Sequence, residues 1–171
     1  ILQERYDEAL RLYPHAFTYC SAGNAAYQRG DYRTAIELLR HAHTLAAEDD
    51  AVHLMLQSRA FLGNCYCNEL RLPQMEREYA AALRLAELLH NTNLADTIRY
   101  NTAAGQLEIG QYDAAYAYFS TLENPGRMAL HKLAICCEKL GRIDEARAAI
   151  DRARTAECDF PAEPLSQQLC D

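Results

Sequence analysis

Small and apolar residues fall along this chain at helical spacing. Ala35, Leu39 and Ala42 lie four and three residues apart, which places them on one face of a helix. With Gly23, Gly30 and Tyr32 they form a set that returns, with substitutions, three more times. Gly63, Tyr79 and Ala82 keep the offsets of Gly23, Leu39 and Ala42, 40 residues further on. Gly110, Tyr112, Ala115 and Phe119 then stand where Gly30, Tyr32, Ala35 and Leu39 stood. Gly141, Ile143, Ala146, Ile150 and Ala153 form the fourth copy, 31 residues after Gly110. A unit of about 30 to 45 residues that repeats with helical periodicity predicts stacked helix pairs.

The same residues predict where helices end and how they pack. Gly30, Gly110 and Gly141 suit the left-handed residue that closes a helix, and Asp31, Gln111 and Arg142 follow as the next helix starts. Pro73 sits in a first turn, where no N–H is needed. Leu70 would have to close its helix without glycine, a weak point of the pattern. Ala and Gly at crossings let two backbones approach, while Leu39, Tyr79, Phe119 and Ile150 fill the space between layers. Val, Ile and Thr are sparse beside Ala, Leu, Glu and Arg, so about nine helices and no sheet are expected.

Gly23, Gly30, Tyr32, Ala35, Leu39 and Ala42 resemble the tetratricopeptide repeat, a pair of antiparallel helices A and B with a Gly at the turn. Tyr19 replaces the family Trp; Leu70, Leu72 and Met75 replace Gly, an aromatic and Ala in the second copy. The resemblance implies an all-α, right-handed α-solenoid. Its expected divisions are a helix of a truncated preceding repeat (1–15), four repeats (16–55, 56–95, 96–126 and 127–160), and a tail or further helix (161–171). A spacing of 40 exceeds the usual 34 or so and is similar to the longer-helix variety found in bacterial peptide receptors.

The chain opens on Ile1 and runs straight into Tyr6 to Leu10, a lone helix ending before Pro14. Phe160-Pro161 and Glu163-Pro164 stop the last pair, and Leu165 to Leu169 read as the start of another helix. Both ends suggest a domain taken from a larger protein.

Charge narrows the partners. With 24 acidic against 17 basic residues, the chain lacks the basic surface that phosphate backbones require, so direct nucleic-acid binding is not expected. No apolar run is long enough to span a membrane and no export signal is visible. Seven cysteines, an odd number with no C-x-x-C pair, point to reduced thiols in a cytoplasm and to no metal site. Cys65 and Cys67 project from nearly opposite sides of a helix, and His41 and His43 are two apart rather than three or four. Both histidines are expected at the surface. Cys20, His15 and Asp31 could be written as a thiol triad, but positions scattered over a repeat do not converge on a nucleophile, so no enzyme activity and no cofactor are expected.

The resemblance implies a groove lined by the A helices. In register, Asn24 and Asn64 take the same position in successive repeats, with Asn101 one turn earlier in the third. A primary amide both donates and accepts, so such a ladder could hold an extended peptide whatever its side chains. Tyr27, Phe61 and Tyr100 would supply pockets for apolar anchors. Lys132 and Lys139, the two lysines of the chain, fall on the fourth A helix, and His131 lies beside Lys132. An acidic group could dock there. Because the ladder faces solvent in the free domain, Asn64→Ala is expected to weaken binding without loss of stability. Cys20 and Ala60 stand where co-chaperones of the family carry clamp residues, which lowers that reading.

The expected function is a peptide- or protein-binding module in a larger cytoplasmic regulator, with a transcription regulator carrying an upstream helix-turn-helix as one form. The alternative is a static scaffold or co-chaperone-like adaptor, with contacts on the B-helix face around Arg77, Arg84 and Tyr116. Homodimerisation is open in either.

Overall fold

In a computed structural model, residues 2–156 are described, those of 2–4 by backbone alone. Phe160-Pro161, the tail at 161–171 and the two cysteines Cys158 and Cys170 lie outside the described residues. The described residues form nine helices and no strand: α1 (Leu2–Leu12), α2 (Ala16–Gln28), α3 (Tyr32–Glu48), α4 (Val52–Asn68), α5 (Leu72–Leu88), α6 (Thr92–Glu108), α7 (Tyr112–Phe119), α8 (Arg127–Lys139) and α9 (Ile143–Thr155). Consecutive helices pack in pairs, the arrangement of a tetratricopeptide-like all-α solenoid. The chain divides into two compact units, one running to Ile98 and one starting at Arg99.

One backbone device closes most of these helices. At the end of α2 the Gly30 N–H donates to the Tyr27 carbonyl (2.9 Å) and the Asp31 N–H to the Ala26 carbonyl (3.0 Å), the paired bonds of a Schellman motif. Gly30, Gly110 and Gly141 take φ values of 79°, 90° and 74°, as their spacing predicts. Leu70 closes α4 in the same way with φ 57°, and Asp50 and His90 close α3 and α5 with φ 52° and 53°. An L-residue held there costs about 1–2 kcal/mol. The Asp31 carboxylate caps α3 by accepting from the Thr34 N–H (3.2 Å), which holds its pKa below the usual carboxylate range. Asn91 does the same for the Leu94 N–H (3.0 Å). Gln111 and Arg142 start their helices with no side-chain cap.

In the first unit α2 pairs with α3 and α4 with α5, while α3 packs on α4. The glycines decide how closely. A Cβ on Gly23 would lie 2.7 Å from Leu39 Cγ, and one on Gly63 would lie 2.5 Å from the Tyr79 ring. Both positions therefore require glycine so that Leu39 and Tyr79 can lie flat against the partner helix. The crossings around them are built from Ala35, Ala42, Ala46, Ala82 and Ala86, all at 0% exposure, and Met75 fills the place of Ala35 in the second pair.

In the second unit Ala103, Leu107, Ala115, Phe119, Ala129 and Cys136 form a core that draws on α6, α7 and α8. Helix α7 is only 8 residues long, against 17 for α3 and α5. It ends where Thr121 Oγ turns back on the Tyr118 carbonyl (2.8 Å), and Pro125 and Gly126 lead into α8. Arg127 ties the start of α8 to the end of α9 by donating to the Ala156 carbonyl (3.0 Å). Ile150 departs from expectation: Leu39, Tyr79 and Phe119 are 0–2% exposed, but Ile150 is 43% exposed. No described pair follows α9 to cover it.

Candidate functional site

Two of the expected site residues, Tyr27 on α2 and Asn64 on α4, meet at Asn68. Asn68, at the end of α4, donates through Nδ2 to the Asn64 carbonyl (2.9 Å) and to the Tyr27 hydroxyl (3.4 Å). Its Oδ1 accepts from the Tyr32 hydroxyl (3.1 Å), and the Tyr27 and Tyr32 rings lie 5.7 Å apart. The i,i+4 spacing of Asn64 and Asn68 on one helix makes the first of these contacts a local one. Burial pushes the Tyr27 phenol pKa up, so at neutral pH the hydroxyl keeps its proton and can still donate.

Asn24 and Asn64 occupy equivalent positions but have different surroundings. Asn64 Oδ1 accepts from the Tyr79 hydroxyl at 2.5 Å, and Tyr79 is 2% exposed with a pKa raised well above 10 by burial. Leu39 stands where Tyr79 does and offers no hydroxyl, and Asn24 Oδ1 is buried without a partner. The expectation that Asn64 can be removed without loss of stability is therefore overturned. Its oxygen satisfies a buried phenol, and losing it would orphan that group.

Phe61 does not open an anchor pocket. It is 2% exposed, as are Ala60 at 0% and Cys20 at 3%. Helix α4 is packed by α2, α3 and α5, so apolar residues around most of its circumference are buried and its pattern has no single wet face. Tyr100 is half-buried and packs edge-on against Phe119, with ring centroids 5.5 Å apart. Asn101 is half-buried on the same helix. His131 is exposed and lines a cleft with Ile135 and Ile150, while Lys132 is half-buried and Lys139 exposed. Phe17, at 65% exposed, is the most open aromatic of the α2 face.

A charged cluster escaped the sequence reading. Glu78, 4% exposed, accepts from Arg59 (2.6 Å) and from Arg77 (3.0 Å). Beside it His43 Nδ1 lies 3.2 Å from the buried Ser58 hydroxyl, which itself donates to the Met55 carbonyl (2.9 Å). With the hydroxyl proton committed, the ring nitrogen is the donor. Burial and the neighbouring Arg59 hold the His43 pKa below 6.5. His41 is exposed as expected, but His43 is half-buried, because it points at the α3–α4 contact. Only the three-dimensional pairing of α3 with α4 reveals this, since His43 and Ser58 are 15 residues apart.

Among the described thiols, Cys65, Cys136 and Cys137 are shielded rather than activated. Burial raises Cys65 to about 12 and Cys136 to about 11. A thiol held that high is no nucleophile at neutral pH. Among the described residues no three His, Cys, Asp or Glu side chains gather as a metal site, and no helix is long and apolar enough to cross a membrane.

Residues 106–162 match the family model described as Tetratricopeptide repeat. That segment is similar to the tetratricopeptide repeat, the resemblance that the glycine and alanine spacing carries. Repeats of this class build protein-interaction modules. A search of curated proteins found no match.

Proposed function

We propose that this chain is the peptide-binding module of a larger cytoplasmic regulator, and that it takes an extended peptide segment along the surface formed by α2 and α4. The observation that carries the reading is the buried Asn24 oxygen without a partner, set beside the Tyr27, Tyr32 and Asn68 cluster. An unpartnered amide acceptor costs about 1–3 kcal/mol, and because this oxygen is closed to solvent in the free protein, a peptide N–H recovers that cost only as the Asn24 amide turns outward to meet it. Tyr27 supplies a donor for a peptide carbonyl, and Phe17 an apolar edge. Phe61 is removed from the set of anchors. Asn64 keeps only its Nδ2 for a ligand, because its oxygen is committed to Tyr79.

Reduced thiols and the acidic charge fit a cytoplasmic protein that binds peptide rather than nucleic acid. The test is capture from a random peptide library by wild type and by Asn24→Ala, followed by calorimetry on the retained peptides. Wild type should retain peptides that the variant binds about 5- to 100-fold more weakly, the factor for 1–3 kcal/mol. Equal binding by both proteins would remove this surface from consideration and leave the scaffold reading.

A further inference from the structure

The outer face of α8 and α9 is an unfinished apolar surface. Ile135, Ile143 and Ile150 are 44%, 49% and 43% exposed. With Ala134 and Ala146 they line an open cleft of about 460 Å³. Ile150 occupies the position at which Leu39, Tyr79 and Phe119 are buried, so the face is built for contact with another helical surface. Two charges flank the apolar stripe, Glu138 on α8 and Arg147 on α9.

Their heights decide what fits. Glu138 stands three residues before Gly141 and Arg147 six after it. Counting from the helix ends on either side of the turn, at 1.5 Å per residue, both lie within about 3–6 Å of it. An acid on one helix and a base on its antiparallel neighbour, level with one another, make a surface complementary to itself. Rotation by 180° about an axis in the face and parallel to the helices lays α8 of one copy on α9 of the other. The Glu138 carboxylate then meets the partner's Arg147 guanidinium, twice, on either side of the isoleucines.

We propose that this face joins two copies of the chain in an isologous dimer, with the three isoleucines as its core and two Glu138–Arg147 pairs at its rim. Arg147 has a competing contact to Asp144 at 3.9 Å, but with side chains 76% and 101% exposed that pair is too solvated to hold it. The proposal is independent of the peptide surface on α2 and α4, which uses other helices.

The experiment is sedimentation equilibrium on the whole 171-residue chain, wild type and two charge reversals. Wild type should move from one to two chain masses as concentration rises through the micromolar range. Glu138→Arg alone and Arg147→Glu alone each place like charges together twice and should raise the dissociation constant about tenfold or more. An equimolar mixture of the two variants pairs opposite charges at both rims, so it should dimerise again as a heterodimer. Both residues are exposed, so circular dichroism should be unchanged in the variants. A wild type that stays monomeric to about 0.5 mM would overturn the proposal. It would be overturned equally by a dimer that ignores both reversals, by a mixture that fails to recover, or by open-ended growth beyond two copies.

Discussion

The α2/α3 and α4/α5 pairs share a backbone plan and differ in one side chain, and that difference separates a surface residue from a structural one. Each pair has a Gly-Asn on its first helix and a large residue 16 positions after the Gly. Where that residue is Tyr79, its hydroxyl occupies the Asn64 oxygen; where it is Leu39, the Asn24 oxygen is left without a partner. Repeat register places an asparagine, but the residue opposite determines whether its amide oxygen is paired inside the fold or left without a partner.

The first test of this contrast lies in the glycines that set this geometry. Gly63→Ala drives a methyl to within 2.5 Å of the Tyr79 ring, whereas Gly23→Ala meets the more pliable Leu39 at 2.7 Å. Overpacking of this kind costs about 1–3 kcal/mol, less about 1 kcal/mol returned by the helix preference of Ala. Urea titration should show Gly63→Ala the less stable of the two variants. Equal midpoints would mean that Tyr79 is no more constrained than Leu39.

Next comes the asparagine comparison itself. Asn64→Ala should destabilise by about 1–3 kcal/mol by orphaning the Tyr79 hydroxyl, whereas Asn24→Ala removes an oxygen that has no partner and should not destabilise. Tyr79→Phe in the Asn64→Ala background should remove most of that penalty. If the double variant is no more stable than Asn64→Ala alone, the hydroxyl–amide bond is not the source of the difference.

A smaller effect separates the two helix ends. Gly30 takes φ 79° freely, but Leu70 is held at φ 57° with its side chain 64% exposed. Leu70→Gly should relieve about 1–2 kcal/mol of backbone strain against about 0.5–1 kcal/mol of added chain entropy, a net gain near 0.5–1 kcal/mol. A melting temperature that falls would show that the Leu70 side chain holds something its exposure conceals.

The smallest effect is in pH, and it also distinguishes the second pair, whose Ser58 and Arg59 face His43. The folded pKa of His43 lies below its unfolded value near 6.5, so the unfolded chain binds more protons between those two values. Its contribution is complete above pH 6.5 and is lost as pH falls toward the folded pKa. Wild type should lose more stability than His43→Gln between pH 7 and pH 5.5. Parallel pH profiles for the two proteins would exclude His43 as a cause.

Much of the fold was legible because it depends on properties local to the chain. Glycine at residues 30, 110 and 141 is the cheapest way to reverse the backbone after a helix, so those ends announced themselves. Leu70 was identifiable as the exception by register alone. The candidate site was legible only in part. Asn24 and Tyr27 were named from the repeat register, but the burial of Phe61 was missed because α4 is enclosed by three helices. A periodicity argument assumes one dry and one wet face, and an enclosed helix has no such division.

The sequence by itself determined the helical character of the described residues and the turns closed by Gly30, Gly110 and Gly141, since each follows from backbone preferences acting over a few residues. Tertiary structure alone decided which polar groups find partners. Asn64 meets Tyr79 across 15 residues, Arg59 meets Glu78 across 19, and Asn68 meets Tyr27 across 41. Such bonds depend on side-chain directions fixed to within an ångström by neighbouring helices. No spacing along the chain carries that information, because hydrogen bonds are short-ranged and directional while the repeat pattern specifies only faces.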